Sequence, residues 1–313
     1  MAGIKVLVTG GAGFIGSHIV DRYIQEGYQV VVADNLSTGK RRNVHRGARF
    51  YRADIKGRWL ERVFRRERPA VVSHHAAQMN VRRSVQDPMF DAETNILGTL
   101  NVLQLAVRYG VRKVIFASSG GAVYGEPERL PVAESHPTQP SSPYGISKAV
   151  GDEYLRYFKG ASGLEFVSLR YANVYGPRQD PDGEAGVVAI FAKKILLGDQ
   201  PLINGNGRQT RDYVYVDDVV EANVAALSKA AQGIYNVGTG KETSVNELFQ
   251  LLADLINPSI RAAHGPAKKG EQMRISLDSS RLHAELEWEP KVALKDGLAR
   301  TVEYFRQTEL ANF

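Results

Sequence analysis

A tyrosine and a lysine four residues apart could together supply a general base. They are Tyr144 and Lys148, within the segment Ser-Pro-Tyr-Gly-Ile-Ser-Lys that starts at residue 142. Pro143 favours the first turn of a helix, where the N–H group that proline lacks is not needed, and residues four apart then share one helix face. A free phenol titrates near pH ~10, and a neighbouring ammonium lowers its pKa. The pair alone is short and common, so its meaning depends on the rest of the chain.

A glycine-rich turn joins a predicted strand to a predicted helix near the N-terminus. The strand covers residues 4–9, and Gly10, Gly13 and Gly16 follow at intervals of three. Glycines let the backbone approach a pyrophosphate, and the helix N-terminus offers free N–H groups to it. Asp34, after the next strand, can accept hydrogen bonds from a ribose and would repel the 2′-phosphate of NADP. The arrangement therefore predicts a dinucleotide site and favours NAD.

Strands and helices alternate through the first half of the chain. Strands are predicted over 4–9, 29–33, 49–53, 70–75, 113–117 and 165–170, and helices over 57–66, 88–109 and from 144 onward. This alternation predicts an α/β fold with a Rossmann-type doubly wound parallel sheet. Beyond residue 175 the elements become shorter, with helices predicted over 187–197, 217–230, 279–285 and 294–307, a strand over 234–237 and a capping box from Ser244 to Glu247.

The change from regular strand–helix alternation to shorter elements near residue 175 predicts two domains. An NAD-binding domain covers 1–175 and includes the tyrosine and the lysine, and a smaller, partly interleaved α/β substrate-binding domain covers 176–313. Two further stretches of the first domain could border the cofactor. Asp54 and Ile55 could reach the adenine, and the small residues in Ala76-Ala77-Gln78 would let a cofactor lie close.

Composition excludes several classes of function. The chain has 313 residues, 43% of them hydrophobic, and no cysteine, so disulfides and thiolate catalysis are excluded. We expect no metal site, since the 7 histidines form no ligand motif, and His74 and His75 are expected to pack at a strand end. No apolar run reaches the roughly 18 residues of a membrane helix. A strand that begins at residue 4 leaves no room for a leader, so a cytoplasmic protein is expected.

The charge pattern favours small partners over nucleic acid. The net charge is +6 and arginines cluster within 41–49 and 62–68, but acidic residues are interleaved and no recognition motif accompanies them. We therefore predict no nucleic-acid partner. The basic run 40–42 could favour NADP if it folded back over the ribose, which opposes the argument from Asp34.

Several segments resemble, in order and spacing, the extended short-chain dehydrogenase/reductase family of NAD-dependent epimerases and dehydratases. The resemblance covers essentially the whole chain and rests on 9–16, 34–36, 118–125, 144–148, 170–177 and 211–216. It implies bound NAD, with contacts from Phe14, Ile15, Asp34, Asn35, Asp54, Ile55, Asn95, Tyr144 and Lys148 in addition to the glycine turn. It implies a UDP-sugar substrate near Asn173, Val187, Ile203, Asn204, Gly205, Arg211 and Arg274.

Within this family the residues are most similar to 4-epimerases that interconvert UDP-galactose and UDP-glucose. The resemblance implies that Tyr144 takes the proton from the sugar 4-hydroxyl while hydride passes from C4 to NAD, and that hydride returns to the other face. Lys148 would hold the cofactor ribose and keep the tyrosine acidic. The family also implies a homodimer formed through helices near 88–109 and 144–160.

One position departs from the family pattern. Many members have a Ser or Thr three residues before the Val-Tyr-Gly step, to share the proton with the tyrosine, and this chain has Gly120 there. Ser119, Ser118 or a water could replace the hydroxyl, or Tyr144 could act alone. Sugar-nucleotide 4,6-dehydratases need an Asp-Glu pair at the next two positions, and here these are Gly121 and Ala122, which favours epimerisation.

Other substrates and one other class of function remain open. UDP-N-acetylhexosamines or UDP-uronic acids could replace the hexoses, since side chains that set the pocket width cannot be located from sequence. A reductase would consume added NAD(P)H. A non-catalytic dinucleotide sensor is a further alternative, but such proteins usually lack the tyrosine or the lysine.

Overall fold

The computed structural model describes residues 3–182, 186–227, 231–267 and 272–309. Strands β1 to β13 are Lys5–Thr9, Gln29–Asp34, Arg49–Arg52, Val71–His74, Lys113–Ser119, Glu165–Tyr171, Asn173–Tyr175, Leu202–Asn204, Thr210–Arg211, Tyr213–Tyr215, Gly233–Val237, Thr243–Ser244 and Ala263–Gly265. Helices α1 to α12 are Phe14–Gln25, Trp59–Glu67, Val81–Gln86, Pro88–Ala92, Gly98–Arg108, Gly120–Val123, Pro143–Ser162, Val187–Leu196, Val216–Ala226, Val245–Ile256, Ser280–Leu286 and Leu294–Glu309. A 3₁₀ turn lies at Arg41–Asn43 and a π-helical turn at Glu93–Leu97.

The main sheet has seven strands in the order β11-β6-β5-β4-β1-β2-β3, and each neighbouring pair is parallel. The strand order reverses between β1 and β4, which is the topological switch point of a doubly wound sheet. Ligands of such folds bind outside the carboxyl ends of the strands at that point. The predicted Rossmann-type α/β fold is therefore confirmed.

Side chains of the central strands alternate between two cores. In β1, Val6 and Val8 pack with residues of α1 and α9 on one face, whereas Leu7 packs with α2, α5 and α7 on the other. All three side chains are completely buried. Because helices cover both faces, the strands are apolar almost throughout, and polar residues concentrate at their ends.

A smaller unit follows the sixth strand of the main sheet. Helices α8, α10 and α12 enclose a third core with aromatic residues of β7 and β10. Short strand pairs β7–β10, β8–β13 and β9–β12 connect its segments. The chain returns from this unit to the main sheet, because β11 pairs with β6 and α9 packs against α1.

Most predicted elements occur within a few residues of their predicted bounds. The capping box is confirmed, since the Ser244 hydroxyl accepts from Glu247 N and the Glu247 carboxylate accepts from Ser244 N. Several features differ from the prediction, among them short elements such as α6 and β13 that were not predicted. Helix α3 lies in a segment without a predicted element, and the single helix predicted over 88–109 is α4 and α5 joined by the π-helical turn. Helices of that short and irregular kind leave no clear periodic pattern.

A buried carboxylate ties strands β1 and β3 to helix α2 at the end of the sheet opposite the predicted site. The Glu67 side chain is 1% exposed and accepts hydrogen bonds from Lys5, Arg49 and Tyr51 at 3.0, 2.8 and 2.5 Å. Burial alone would raise the pKa of Glu67, but these hydrogen bonds outweigh it and lower the pKa to about 2. The ionised form therefore stabilises the fold above about pH 4.5, and this contribution is lost as the pH falls toward 2.

We expect Glu67→Gln to lower the free energy of unfolding by about 3 kcal/mol at pH 7, because two cations lose their partner. The difference should shrink at pH 3, because the Glu67 carboxyl of the unfolded wild type is then protonated and unfolding takes up a proton. Urea unfolding at the two pH values measures both effects. Glu61→Gln is the matched control, since Glu61 also binds an arginine and a tyrosine but is 42% exposed. Equal losses from the two substitutions would contradict the role of burial.

Candidate active site

A cavity of about 360 Å³ lies at the carboxyl ends of the central strands. Its wall contains most residues predicted to bind the cofactor, namely Gly10, Gly13, Phe14, Ile15, Gly16, Asp34, Asn35, Asp54, Ile55, Ala76, Ala77, Tyr144 and Lys148. Ser118, Ser119 and Asn173 also line it. The parallel sheet brings these residues together, because the segments that carry them all leave strands at the same edge.

The glycine turn leaves the backbone exposed to this cavity. Gly10 has φ +71°, and a Cβ atom there would lie 2.6 Å from Ala76 N. A Cβ at Gly16 would lie 2.3 Å from the Gly10 carbonyl oxygen, so only glycine allows α1 to pack this closely. Helix α1 begins at Phe14 without a side-chain cap or an acidic residue in its first turn. Its free N–H groups and positive dipole end therefore fit a pyrophosphate.

Asp34 is held in place at the end of β2. Its two carboxylate oxygens accept from Ala12 N at 2.9 Å and Leu36 N at 2.8 Å. Each oxygen retains a lone pair for a ribose hydroxyl. Leu36 adopts φ +62°, a strained conformation that turns the chain around the carboxylate. Asn35 donates to Asp54 at 3.0 Å and joins the ends of β2 and β3.

Gln78 and Asn95 lie behind the cavity wall. They are 8% and 3% exposed. Gln78 N donates to Asn95 Oδ1, and Asn95 Nδ2 donates to the Gln78 carbonyl, both at 2.8 Å. These bonds fix the loop in which Ala76 and Ala77 face the cavity. Both residues were predicted to contact the cofactor, and the structure places them one layer further out, where they support the contacting loop.

Tyr144 and Lys148 share one face of α7 at the cavity. Lys148 Nζ lies 5.8 Å from the centroid of the Tyr144 ring and donates to the Ala117 carbonyl at 2.7 Å. Burial lowers the pKa of Lys148 to about 8, while Asp152 raises it, so the ammonium persists at pH 7. Helix α7 begins with Ser142 as its N-cap, as Pro143 in the first turn indicates.

In the protein alone, burial dominates the pKa of Tyr144. Loss of water around the hydroxyl raises it to about 12, and a hydrogen bond with Ser119 lowers it only in part. The lowering expected from the neighbouring ammonium therefore does not outweigh burial in the protein alone. The phenol is neutral at pH 7 until a further positive charge arrives.

Ser119 is the hydroxyl that acts on Tyr144. It is the last residue of β5, whereas the Oγ of the preceding Ser118 is buried without a hydrogen-bond partner among the described residues. We expect Ser119→Ala to lower kcat about tenfold, because a hydrogen bond to a charged group contributes about 1.5–3 kcal/mol. The acidic limb of the pH profile should also move to higher pH. Ser118→Ala should leave that limb in place, and a shift with Ser118→Ala alone would contradict the assignment.

Gly120 is glycine because Leu277 occupies the space beside it. A Cβ at Gly120 would lie 2.4 Å from Leu277 Cδ1 and 3.2 Å from the Arg170 carbonyl oxygen. Leu277 is completely buried and its backbone N–H donates to Asp212 at 3.1 Å, so it cannot withdraw freely. Leu277 thus fills the space that a side chain at position 120 would need.

We expect Gly120→Ser to lower the free energy of unfolding by about 1–3 kcal/mol through overpacking. Leu277→Ala removes the obstructing methyl groups but leaves a cavity of its own. The double variant should therefore be more stable than the sum of the two single losses predicts. Chemical denaturation of all four proteins measures this coupling, and additive losses would mean that the two side chains do not compete for space.

The predicted substrate residues, apart from Asn173, lie outside this cavity in the smaller unit. Val187 begins α8, next to Gly186 of the cavity wall. Ile203 and Asn204 belong to β8, and Gly205 N donates to the Gly265 carbonyl. Arg211 lies in β9 and is half-buried.

Arg274 is the more exposed of the two arginines that were predicted to bind the substrate. Its side chain is 64% exposed, and its Nε and Nη2 both donate to the Glu242 carboxylate. Thr210, next to Arg211, donates to the same carboxylate at 2.5 Å. The two arginines are thus linked through Glu242 and Thr210.

Some cavity residues were not predicted from sequence. They include His75, Met79, Thr94, Arg178, Gln179 and Asp180, together with the turn 37–40. Arg178 has φ +66° and pairs with Asp21 at 2.7 Å. Arg178 directly follows the family motif at 170–177, and this position in sequence could have identified it as a cavity residue. His74 packs as expected, with hydrogen bonds to Thr9 and Thr99.

The residues that the structure describes support neither a metal site nor a membrane-spanning helix. They contain no group of three or more His, Asp or Glu side chains placed to hold a metal ion. Among the same residues, no helix has the length and apolar character needed to cross a membrane.

Comparisons with known proteins identify close relatives. Residues 6–238 match the model of the NAD dependent epimerase/dehydratase family. A putative UDP-glucose 4-epimerase of Methanocaldococcus jannaschii is 50% identical over 96% of this chain and 98% of its own length. The crystal structure of a UDP-glucose 4-epimerase from Thermotoga maritima with UDP-glucose is 50% identical, with a TM-score of 0.96 over 98% of this chain and 100% of that one. The Thermus thermophilus UDP-glucose 4-epimerase complex with NAD is 47% identical, with a TM-score of 0.93 over 97% and 100%.

Proposed function

Because the chain belongs to the NAD dependent epimerase/dehydratase family, we propose that it is an NAD-dependent 4-epimerase that interconverts UDP-galactose and UDP-glucose. The observation that carries this proposal is the pair Tyr144 and Lys148 in the cavity, with Ser119 in the same wall. Relatives that are 50% and 47% identical and named UDP-glucose 4-epimerase support the same activity. A cytoplasmic location stays a prediction.

The cavity residues fit NAD. The glycine turn and the uncapped start of α1 suit its pyrophosphate, and Asp34 suits the adenosine ribose. Bound there, NAD⁺ would supply reversible hydride exchange at sugar C4, and the charge of its ring would favour the ionised form of the Tyr144 phenol. Of the basic run 40–42, Lys40 lines the cavity, whereas Arg41 and Arg42 lie in a 3₁₀ turn and do not. The Asp34 carboxylate in the same cavity would repel a 2′-phosphate, which supports NAD over NADP.

Tyr144 exchanges the proton of the sugar 4-hydroxyl in this mechanism. The phenolate accepts that proton as C4 is oxidised, and the phenol gives it back when C4 is reduced on the opposite face. Ser119 stabilises the phenolate by donating a hydrogen bond. The Lys148 ammonium, fixed by Ala117, holds positive charge beside the ring. The 4-keto sugar must turn over while its diphosphate stays bound.

Epimerisation needs fewer catalytic groups than the alternative reaction, dehydration of the sugar. Elimination of water across C5–C6 needs an acid and a base beside the sugar, and the positions that could supply them are Gly121 and Ala122. A Cβ at Gly121 would lie 3.6 Å from Asn173 Oδ1, so a side chain there would face the predicted substrate. The absence of carboxylates at these two positions favours epimerisation over dehydration.

We assign the UDP diphosphate to Arg211 and Arg274. A guanidinium binds phosphate oxygens in a two-point fork, and Glu242 holds Arg274 by its Nε–Nη2 edge, which leaves Nη1 for the ligand. Val187, Ile203, Asn204 and Gly205 complete the proposed nucleotide site.

We further propose a homodimer. Helices α3, α4 and α7 pack together and present Val85, Met89 and Tyr157, which are 62%, 70% and 64% exposed. Exposed large apolar side chains favour a protein partner. A second copy of the same helices would cover them, as the family resemblance implies for 88–109 and 144–160.

The proposal is tested by incubating the purified protein with UDP-galactose, without added cofactor, and following the sugar by proton NMR. Conversion to a mixture with UDP-glucose is the expected result. UDP-N-acetylgalactosamine and UDP-galacturonic acid, run in parallel, decide which sugar is preferred. A requirement for stoichiometric NADH would identify a reductase instead. No conversion of any of these sugars, with or without added NAD, would refute epimerase activity on UDP-sugars.

A further inference from the structure

A buried carboxylate lies beneath the catalytic helix and has no role in the mechanism above. It belongs to Asp91, on α4, and is completely buried. Asp91 Oδ1 accepts from Gln78 Nε2 and from Asn95 Nδ2, both at 2.9 Å, and Oδ2 accepts from Ser147 Oγ at 2.6 Å. All three donors are neutral, so they satisfy the oxygens but do not cancel the charge.

These hydrogen bonds join two parts of the site that are separate in sequence. Gln78 and Asn95 hold the loop that presents Ala76 and Ala77 to the cavity. Ser147 lies on α7 immediately before Lys148. The π-helical turn Glu93–Leu97 directs Asn95 back toward Asp91, and such turns often occur at functional sites.

We propose that Asp91 is a positioning residue of the active site, which fixes the cofactor-facing loop 76–79 to the catalytic helix and whose negative charge offsets the Lys148 ammonium. The proposal rests on the proposed function, because it assumes that this cavity binds NAD.

The charges around Lys148 are consistent with this role. Asp152 on α7 and Asp91 on α4 both raise its pKa against the effect of burial. From β4, His74 and the adjacent His75 face the lysine, and burial lowers both of their pKa values to about 3, so they are neutral at pH 7. Asp91 also raises the pKa of Tyr144. Removing its charge should therefore lower the pKa values of both catalytic groups.

Two substitutions separate the charge from the hydrogen bonds. Asp91→Asn keeps the shape, since its amide oxygen can accept from Gln78 and Asn95 and its NH₂ group can donate to Ser147. Both limbs of its pH–kcat profile should move to lower pH by about half a unit, and the protein should retain NAD as the wild type does. Asp91→Ala removes the bonds as well and leaves buried donors unsatisfied.

The readout for Asp91→Ala is the half-time for loss of NAD from the purified holoenzyme during dialysis. We expect Asp91→Ala to lose NAD at least about tenfold faster than the wild type does. Asp91→Asn should lose it at a rate within about twofold of the wild-type rate. Asp218→Asn is the matched control. Asp218 is a buried carboxylate that accepts from Lys291 N and Val292 N, away from the cavity, and its substitution should lower thermal stability only.

The outcomes distinguish this proposal from the proposed function. Wild-type NAD retention in Asp91→Ala, or an unchanged pH profile in Asp91→Asn, would overturn the corresponding half of the proposal. Faster NAD loss in Asp218→Asn would show that any buried carboxylate gives the effect, and would overturn it too. If the wild type holds NAD but epimerises no UDP-sugar, the proposed function fails, whereas the dialysis comparison still decides the role of Asp91.

Discussion

Replacing Tyr144 by phenylalanine is expected to lower kcat by about 10³-fold or more, because proton transfer by a positioned group contributes roughly 10²–10⁴-fold. The ring remains and only the hydroxyl is lost. The fold and the bound NAD should therefore be unchanged, as thermal unfolding and the NAD content of the purified protein would show.

Tyr23→Phe is the matched control for this substitution. Tyr23 is a completely buried tyrosine of α1 whose hydroxyl donates to the Asn223 carbonyl at 3.3 Å, away from the cavity. We expect its loss to leave kcat within about twofold of the wild type while stability falls by about 1 kcal/mol. A near-normal rate for Tyr144→Phe would refute the assigned base.

The second large effect is expected from Lys148→Met. Methionine has a similar length but no charge, so the site loses the ammonium near the phenol, and kcat should fall by about 10²-fold or more. In the wild type we expect an alkaline limb in the pH–kcat profile near pH 8, because the pKa of Lys148 is about 8 and activity needs its protonated form. This limb should be missing from the residual activity of the variant.

Lys113→Met controls for the loss of a buried lysine. Lys113 is 2% exposed, lies in the strand that also carries Ser119, and donates to the Ala226 carbonyl at 3.3 Å. Its substitution should leave kcat and the alkaline limb in place. If both variants lost activity equally, the effect of Lys148→Met would reflect damage to the sheet and not the loss of a catalytic charge.

Sequence predicted those parts of the site that depend on local geometry. The spacing of Gly10, Gly13 and Gly16, the acid at Asp34 and the helical spacing of Tyr144 and Lys148 each express a short-range requirement of the backbone. The apolar strands located the carboxyl edge of the sheet, and that edge brings these residues to one cavity.

Features that depend on long-range packing could not be predicted. From sequence, Gly120 is a position at which the hydroxyl of the family pattern is missing. The structure gives the reason, because Leu277, which is distant in sequence, fills the space beside it. Gln78 was assigned to the cofactor because of its position, although burial turns it toward Asp91 and Asn95. The pKa of Tyr144 depends on how much water the assembled cavity admits, and that quantity has no sequence pattern.

The measurement that tests the central claim most directly is epimerisation of UDP-galactose in D₂O without added cofactor, followed by proton NMR of the product. Transient oxidation moves the C4 hydrogen as hydride, which does not exchange with solvent. We therefore expect UDP-glucose with a full proton signal at C4. Deuterium at C4 of the product would mean that a carbanion is protonated by solvent, and would contradict the hydride mechanism and the role assigned to the cavity.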